Sequence, residues 1–142
     1  MPSVLNLSDE IFVWRMVGKI TKDDFLKSHS QLTGDPRFPA IRYALIDFSG
    51  VTESELDANS LQIVSIRDSY LTEVNSNLQF AIVTPTPESR GFARMWQLFG
   101  MDNGWTSTMF NDEAEALQWL DSKKQDADRE EDPMEPRSPN QH

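Results

Sequence analysis

Ile41-Arg42-Tyr43-Ala44-Leu45-Ile46-Asp47-Phe48 is the stretch on which the fold turns. Its apolar core is continuous rather than alternating. A strand that shows water one face alternates; one covered on both faces does not. The segment therefore predicts a central strand with helices on either side. It ends in Asp47-Phe48-Ser49-Gly50, and a looser stretch, 51–56, leads away from it.

Working outward, the neighbours alternate in type. Toward the N-terminus, Val4–Leu7 and Ile11–Val17 flank the polar turn Ser8-Asp9-Glu10 and read as a hairpin, with Gly18 ending its second strand. Thr21 followed by Asp24 resembles a capping box, so a helix is expected from there to about Leu32, closed by Gly34. Toward the C-terminus, Leu61, Val64 and Leu71 recur at helical spacing across 57–74. Leu78–Thr84 is a second buried strand. Glu88–Met101 is a helix, with Phe92, Met95, Trp96 and Phe99 at i, i+3, i+4 and i+7, stopped by Gly100 or Gly104. Trp105–Phe110 is a last strand, and Asn111 or Asp112 caps a final helix bearing Ala114, Leu117 and Leu120. From Lys123 the chain is charged and proline-containing, too poor in apolar residues to offset its ordering entropy. One domain over 1–122 and a disordered tail over 123–142 are expected. The order is β-β-α-β-α-β-α-β-α, an α/β fold with a mostly parallel sheet and an antiparallel edge strand.

Composition excludes several functions. The formal net charge of -10 repels nucleic-acid phosphates, so no nucleic-acid partner is expected. There is no cysteine, hence no disulfide or thiolate chemistry. Two histidines remain: His142 in the tail, and His29 among polar residues on what reads as a solvated helix face. No metal site and no cofactor follow from them. The N-terminus lacks a signal-peptide pattern, and no apolar run approaches the roughly 20 residues that span a bilayer. A cytoplasmic protein without an integral membrane segment is the expectation.

Several pieces recur in one known order. They are Gly18-Lys19-Ile20-Thr21 after the hairpin, Asp47-Phe48-Ser49-Gly50-Val51-Thr52 after the central strand, and Met109–Leu120 (MFNDEAEALQWL) at the close. Asp35-Pro36-Arg37-Phe38 and Gly91–Met95 add to them. Together, from Val4 to Leu120, they resemble the STAS domains, and within them the bacterial SpoIIAA-like branch, also labelled STAS/SEC14-like. The resemblance implies a SpoIIAA-like (STAS) sandwich with four helices. It also implies action by protein–protein binding, switched by phosphorylation of a serine at the start of the helix after the central strand. Phosphate is favourable at such a helix N-terminus. The chain departs from the pattern there. Glu53-Ser54-Glu55-Leu56-Asp57-Ala58-Asn59-Ser60 puts acidic residues where the acceptor is expected, unless Ser54 or Ser60 takes the place. A carboxylate at that point mimics part of a phosphate's charge, or simply caps the helix.

Ligands of open α/β sheets bind beyond the carboxyl ends of the strands. Here those ends gather Asp47, Ser49, Ser54, Asp57, Thr84, Arg90 and Arg94. Asp47 with Thr84 suggests a phospho-receiver pocket, but the acidic pair and the lysine of a receiver are missing; Asp47 is expected to accept backbone N–H bonds in the turn after its strand. Neither a Ser–His–Asp set, a nucleophile elbow nor a phosphate loop occurs. The aromatic stripe Phe92–Phe99 reads first as core. Met101 and Trp105 extend the apolar surface beyond one stripe, and Arg90 and Arg94 flank it. The expected function is a non-catalytic interaction or regulatory module without a clear phospho-acceptor serine. Its surface would include Trp96, Met101 and Trp105, and its partner a protein or a second copy. The alternative is a carrier of a small apolar molecule or lipid, which would show an apolar pocket.

Overall fold

The computed structural model describes residues 3–7, 11–100 and 105–130. Five strands carry the sheet: β1 (Ser3–Leu7), β2 (Ile11–Ile20), β3 (Tyr43–Ser54), β4 (Gln79–Val83) and β5 (Thr106–Phe110). Four helices accompany them: α1 (Lys22–Thr33), α2 (Ala58–Leu71), α3 (Pro87–Phe99) and α4 (Glu113–Glu130), with a short 3-10 turn at Phe38–Ala40. The strands lie in the sheet in the order in which they occur in the chain. β1 runs antiparallel to β2, and the pairs β2–β3, β3–β4 and β4–β5 are parallel.

This monotonic order fixes where the helices go. Right-handed crossovers that all step the same way across a sheet land on the same face. The helices α1, α2 and α3 cover one face, where Phe12, Trp14, Met16, Ala44, Phe80 and Ile82 are buried with Phe25, Val64 and Ala93. The other face holds Tyr43, Leu45, Ala81 and Val83, packed against Ala116 and Leu120 of α4. Alternation along β2 and β4 sorts the side chains between the two layers. β3 is apolar on both faces, as its sequence predicts. Leu45 is wholly buried, and truncating such a side chain to alanine costs roughly 2–5 kcal/mol.

Local signals set the helix starts. Thr21 Oγ1 accepts from Asp24 N at 3.1 Å, Asp57 Oδ1 from Ser60 N at 2.9 Å, and Asp112 Oδ1 from Glu115 N at 2.9 Å. Thr86 and Ser89 form a reciprocal capping box with Pro87 at the first helical position of α3.

Four expectations need correction. Gly18 does not end the second strand: it sits inside β2 with φ +73, a conformation that costs glycine little and other residues more, and pairing continues to Ile20. The stretch 51–54 is not loose. It extends β3 and pairs with the end of β2, after two register shifts that each accommodate one additional β3 residue. His29 is not solvated; it is 7% exposed. Finally, α4 continues to Glu130, eight residues past the boundary placed at 122. The turn at 8–10, Met101, Gly104 and the tail from 131 onward lie outside the described residues.

Candidate functional site

The carboxyl ends of the strands form a structural mesh. Asp47 is buried and accepts from Ser49 N at 2.8 Å, which fits its reading as a turn-capping carboxylate. That bond holds the first irregularity of β3, while Ser49 itself is exposed. Thr84 is buried; its N–H donates to Phe110 O at 2.8 Å. Arg90 reaches across from α3 to Thr84 O at 3.4 Å and Asn111 Oδ1 at 3.3 Å, so it ties strand ends together. Arg94 is exposed and makes no ion pair among the described residues.

The acidic segment after β3 is matched by lysines. Lys22 Nζ stands 2.9 Å from Asp57 Oδ2, and Lys19 Nζ lies 3.7 Å from Glu55 and 4.0 Å from Glu53. Bonding to Lys22 first, then to Ser60, lowers the Asp57 carboxyl to about 2. The same bond raises Lys22. Asp57 is thus the N-cap of α2. Of the two serines open to a switching role, Ser54 is exposed and its Oγ accepts from Leu56 N at 3.1 Å. Ser60 is 2% exposed and donates to Asp57 Oδ1 at 3.0 Å. A phosphate has no room on Ser60 without opening the first turn of α2.

The tryptophans do not form an outer surface. Trp96 is half-buried, its N–H donating to Asp68 Oδ2 at 3.0 Å and its ring 5.0 Å from that of Phe80. Trp105 is also half-buried; its N–H donates to Asn75 O at 2.7 Å, and its ring lies 5.4 Å from Phe80. What α3 leaves exposed is Met95, Leu98 and Phe99, with Leu98 at 68%. On the adjacent α2, Ile66 and Tyr70 are exposed at 59% and 71%. They lie one helical turn apart, on the side away from Leu61, Val64 and Asp68.

Trp96 and Trp105 instead line an apolar cavity of ≈ 70 Å³ between the sheet and the helices α1, α2 and α3. Its polar members include His29 and Asp68. His29 Nε2 lies 2.9 Å from Asp68 Oδ1, so one buried carboxylate joins α1, α2 and α3 through His29 and Trp96. Neither His29 nor Asp68 stood out in the sequence. The signal was their spacing: His29 falls at i+4 from Phe25 and three before Leu32, and Asp68 at i+7 from Leu61 and i+4 from Val64. A polar residue at a core position of a helix calls for a buried partner.

Neither a family model nor a curated protein matches the chain in sequence. Solved structures do match its fold. The anti-sigma factor antagonist SpoIIAA in its unphosphorylated form superposes with TM-score 0.57 and 16% identity, over 84% of this chain and 97% of that one. The chain has the SpoIIAA-like fold. The phosphorylated form, described as a Bacillus cell fate determinant, gives 0.54 and 17% identity over 83% and 98%. A DUF3478-family protein with a SpoIIAA-like fold from Shewanella loihica PV-4 gives 0.54 and 20% identity over 83% and 91%. Among the described residues, no helix of this SpoIIAA-like chain is long and apolar enough to cross a membrane.

Proposed function

We propose that this chain is a non-catalytic, cytoplasmic regulatory module that docks a protein partner through the outer surface of α2 and α3. One observation carries the reading. Ile66 and Tyr70 on α2 and Met95, Leu98 and Phe99 on the neighbouring helix are all at least one-third exposed, though each is large and apolar. Large apolar side chains exposed together on adjoining helices are costly in a protein that never covers them. Arg94, exposed beside Met95, suits an acidic group at the rim. SpoIIAA, described as an anti-sigma factor antagonist, lends the analogy of a protein partner. Switching by a helix-start phosphoserine has little to support it here, since Ser60 is buried and Asp57 holds the N-cap.

The test is a charge placed in the patch. Leu98→Glu leaves the core untouched. A partner, or a second copy in sedimentation analysis, that binds the wild type and Glu88→Ala but not Leu98→Glu supports the reading. Equal binding by all three overturns it.

A second reading, a carrier of a small apolar molecule, is favoured by the cavity beneath the same helices. It needs no exposed patch.

A further inference from the structure

The strand β5 is an edge that nothing in its sequence guards. It pairs with β4 alone, and no strand lies beyond it among the described residues. Natural edges are blunted by charge, proline or a bulge, because a bare one templates further pairing. Thr106-Ser107-Thr108-Met109-Phe110 contains neither charge nor proline, and its register with β4 runs without a shift.

The ladder shows which groups are spare. Thr106 N donates to Leu78 O at 3.4 Å, and Phe110 O accepts from Thr84 N at 2.8 Å. Backbone groups alternate sides along a strand, so Thr106, Thr108 and Phe110 spend theirs on β4. Ser107 and Met109 point theirs outward. Among the described residues, no backbone bond beyond the ladder reaches either one.

That spacing is self-complementary. Run antiparallel about a two-fold axis at Thr108, the strand sets Ser107 opposite Met109 of a second copy. These are the residues with spare backbone groups, so they make hydrogen-bonded pairs, while Thr108 meets its own counterpart in a close non-hydrogen-bonded pair. On the α4 side Phe110 meets Thr106, an aromatic–β-branched pair, beside the threonine pair, and both kinds are favourable. Like charges do not face each other along the seam, since the strand has none.

The helix above fits the same seam. Arg90 donates to Asn111 Oδ1 at 3.3 Å and Gln97 Nε2 to Ser107 Oγ at 2.8 Å, so α3 runs antiparallel over β5 with this row along it. Arg94 and Leu98 come next outward on the helix. A strand added to β5 therefore passes beneath Leu98, at 68% the most exposed large apolar residue of α3. Arg94, level with Met109, comes opposite Gln97 of the second copy rather than opposite its Arg94.

We propose that two copies of this chain join edge to edge through β5, making one continuous sheet with a two-fold axis at Thr108. The proposal is independent of the docking reading above, because Ile66 and Tyr70 lie on α2, across α3 from β5.

The test is sedimentation equilibrium of the full chain, in about 0.3 M salt to screen the net charge of -10 on each copy. The wild type is expected to dimerise reversibly by about 100 µM, as suits a small interface. Ser107→Pro removes an outward N–H and no bond to β4, and should weaken the dimer about thirtyfold. Thr108→Lys puts like charges together on the axis and should weaken it about five- to tenfold. Amide exchange of the wild type needs no variant: Ser107 and Met109 should slow as concentration rises, and Thr106 and Thr108 should not. A chain that stays monomeric overturns the proposal and leaves docking of a different protein standing. A dimer abolished by Ile66→Glu, but unmoved by Ser107→Pro and Thr108→Lys, also overturns it and supports the outer patch instead.

Discussion

Lys22 and Asp57 meet at 2.9 Å, joining the first turn of α1 to the cap of α2 across the ends of two paired strands. The contact is polar, exposed and set between two helices that share the cavity wall. It also gives the chain a pH signature.

Asp57 carries a folded-state carboxyl at about 2, below the ordinary value of 3.8. A lowered folded value means stability that is present above the unfolded value and lost as pH falls toward the folded one. Asp57→Asn keeps a capping side chain but removes the charge. Its melting temperature should fall below that of the wild type at neutral pH. The gap should close between about pH 4 and pH 2. A constant gap through that window would assign the effect to packing instead.

Asp68 accepts from His29 and Trp96 while 3% exposed. Asp68→Ala strands the buried His29 and the half-buried Trp96 indole and should cost about 3–5 kcal/mol in urea denaturation. Trp96→Phe removes one donor and should cost less. Combined, the two substitutions should be non-additive by at least ~0.5 kcal/mol, as expected of side chains in direct contact.

Gly18 has φ +73, and a Cβ built there meets nothing within 4 Å. Any cost of a side chain is therefore conformational. Gly18→Ala should destabilise by about 1–2 kcal/mol, and Gly18→Asn by less, since asparagine tolerates that region. An equal loss for both, measured in the same denaturation series, would point to an unseen contact.

Ser60 and Ser54 separate a buried hydroxyl from an exposed one. Ser60→Glu forces a carboxylate into a 2% exposed position and should cost about 3 kcal/mol or more. Ser54→Glu should stay within about 0.5 kcal/mol of the wild type. A stable Ser60→Glu chain would reopen that serine as a phosphorylation site.

The order of strands and helices was legible because hydrophobic periodicity records burial. IRYALIDF, LQFAIVT and the Leu61–Val64–Leu71 set each read correctly. The end of β3 did not, because residues 49–54 are largely exposed and pair with the far end of β2 beyond the last β3–β4 pair, Asp47 with Val83. No burial pattern marks a ribbon of that kind. Gly18 misled for a related reason: it reads as a stop, yet a positive φ is compatible with a strand that bends. At the site, the stripe carrying Trp96 reads first as core, yet Trp96 and Trp105 also enter the expected partner surface, because their indole partners, Asp68 and Asn75, lie 28 and 30 residues away. Composition cannot reveal which distant carboxylate or carbonyl a tryptophan will find.

The unbroken strand order has a bearing on synthesis. Each strand adds to the edge left by the one before, so the sheet can grow as the chain leaves the ribosome, without inserting a late strand between early ones. The second layer cannot form that way. Leu45, Ala81 and Val83 wait for Ala116 and Leu120 of the last helix. A nascent chain stalled before that helix would present a bare apolar sheet face, and that interval is when it most needs a chaperone.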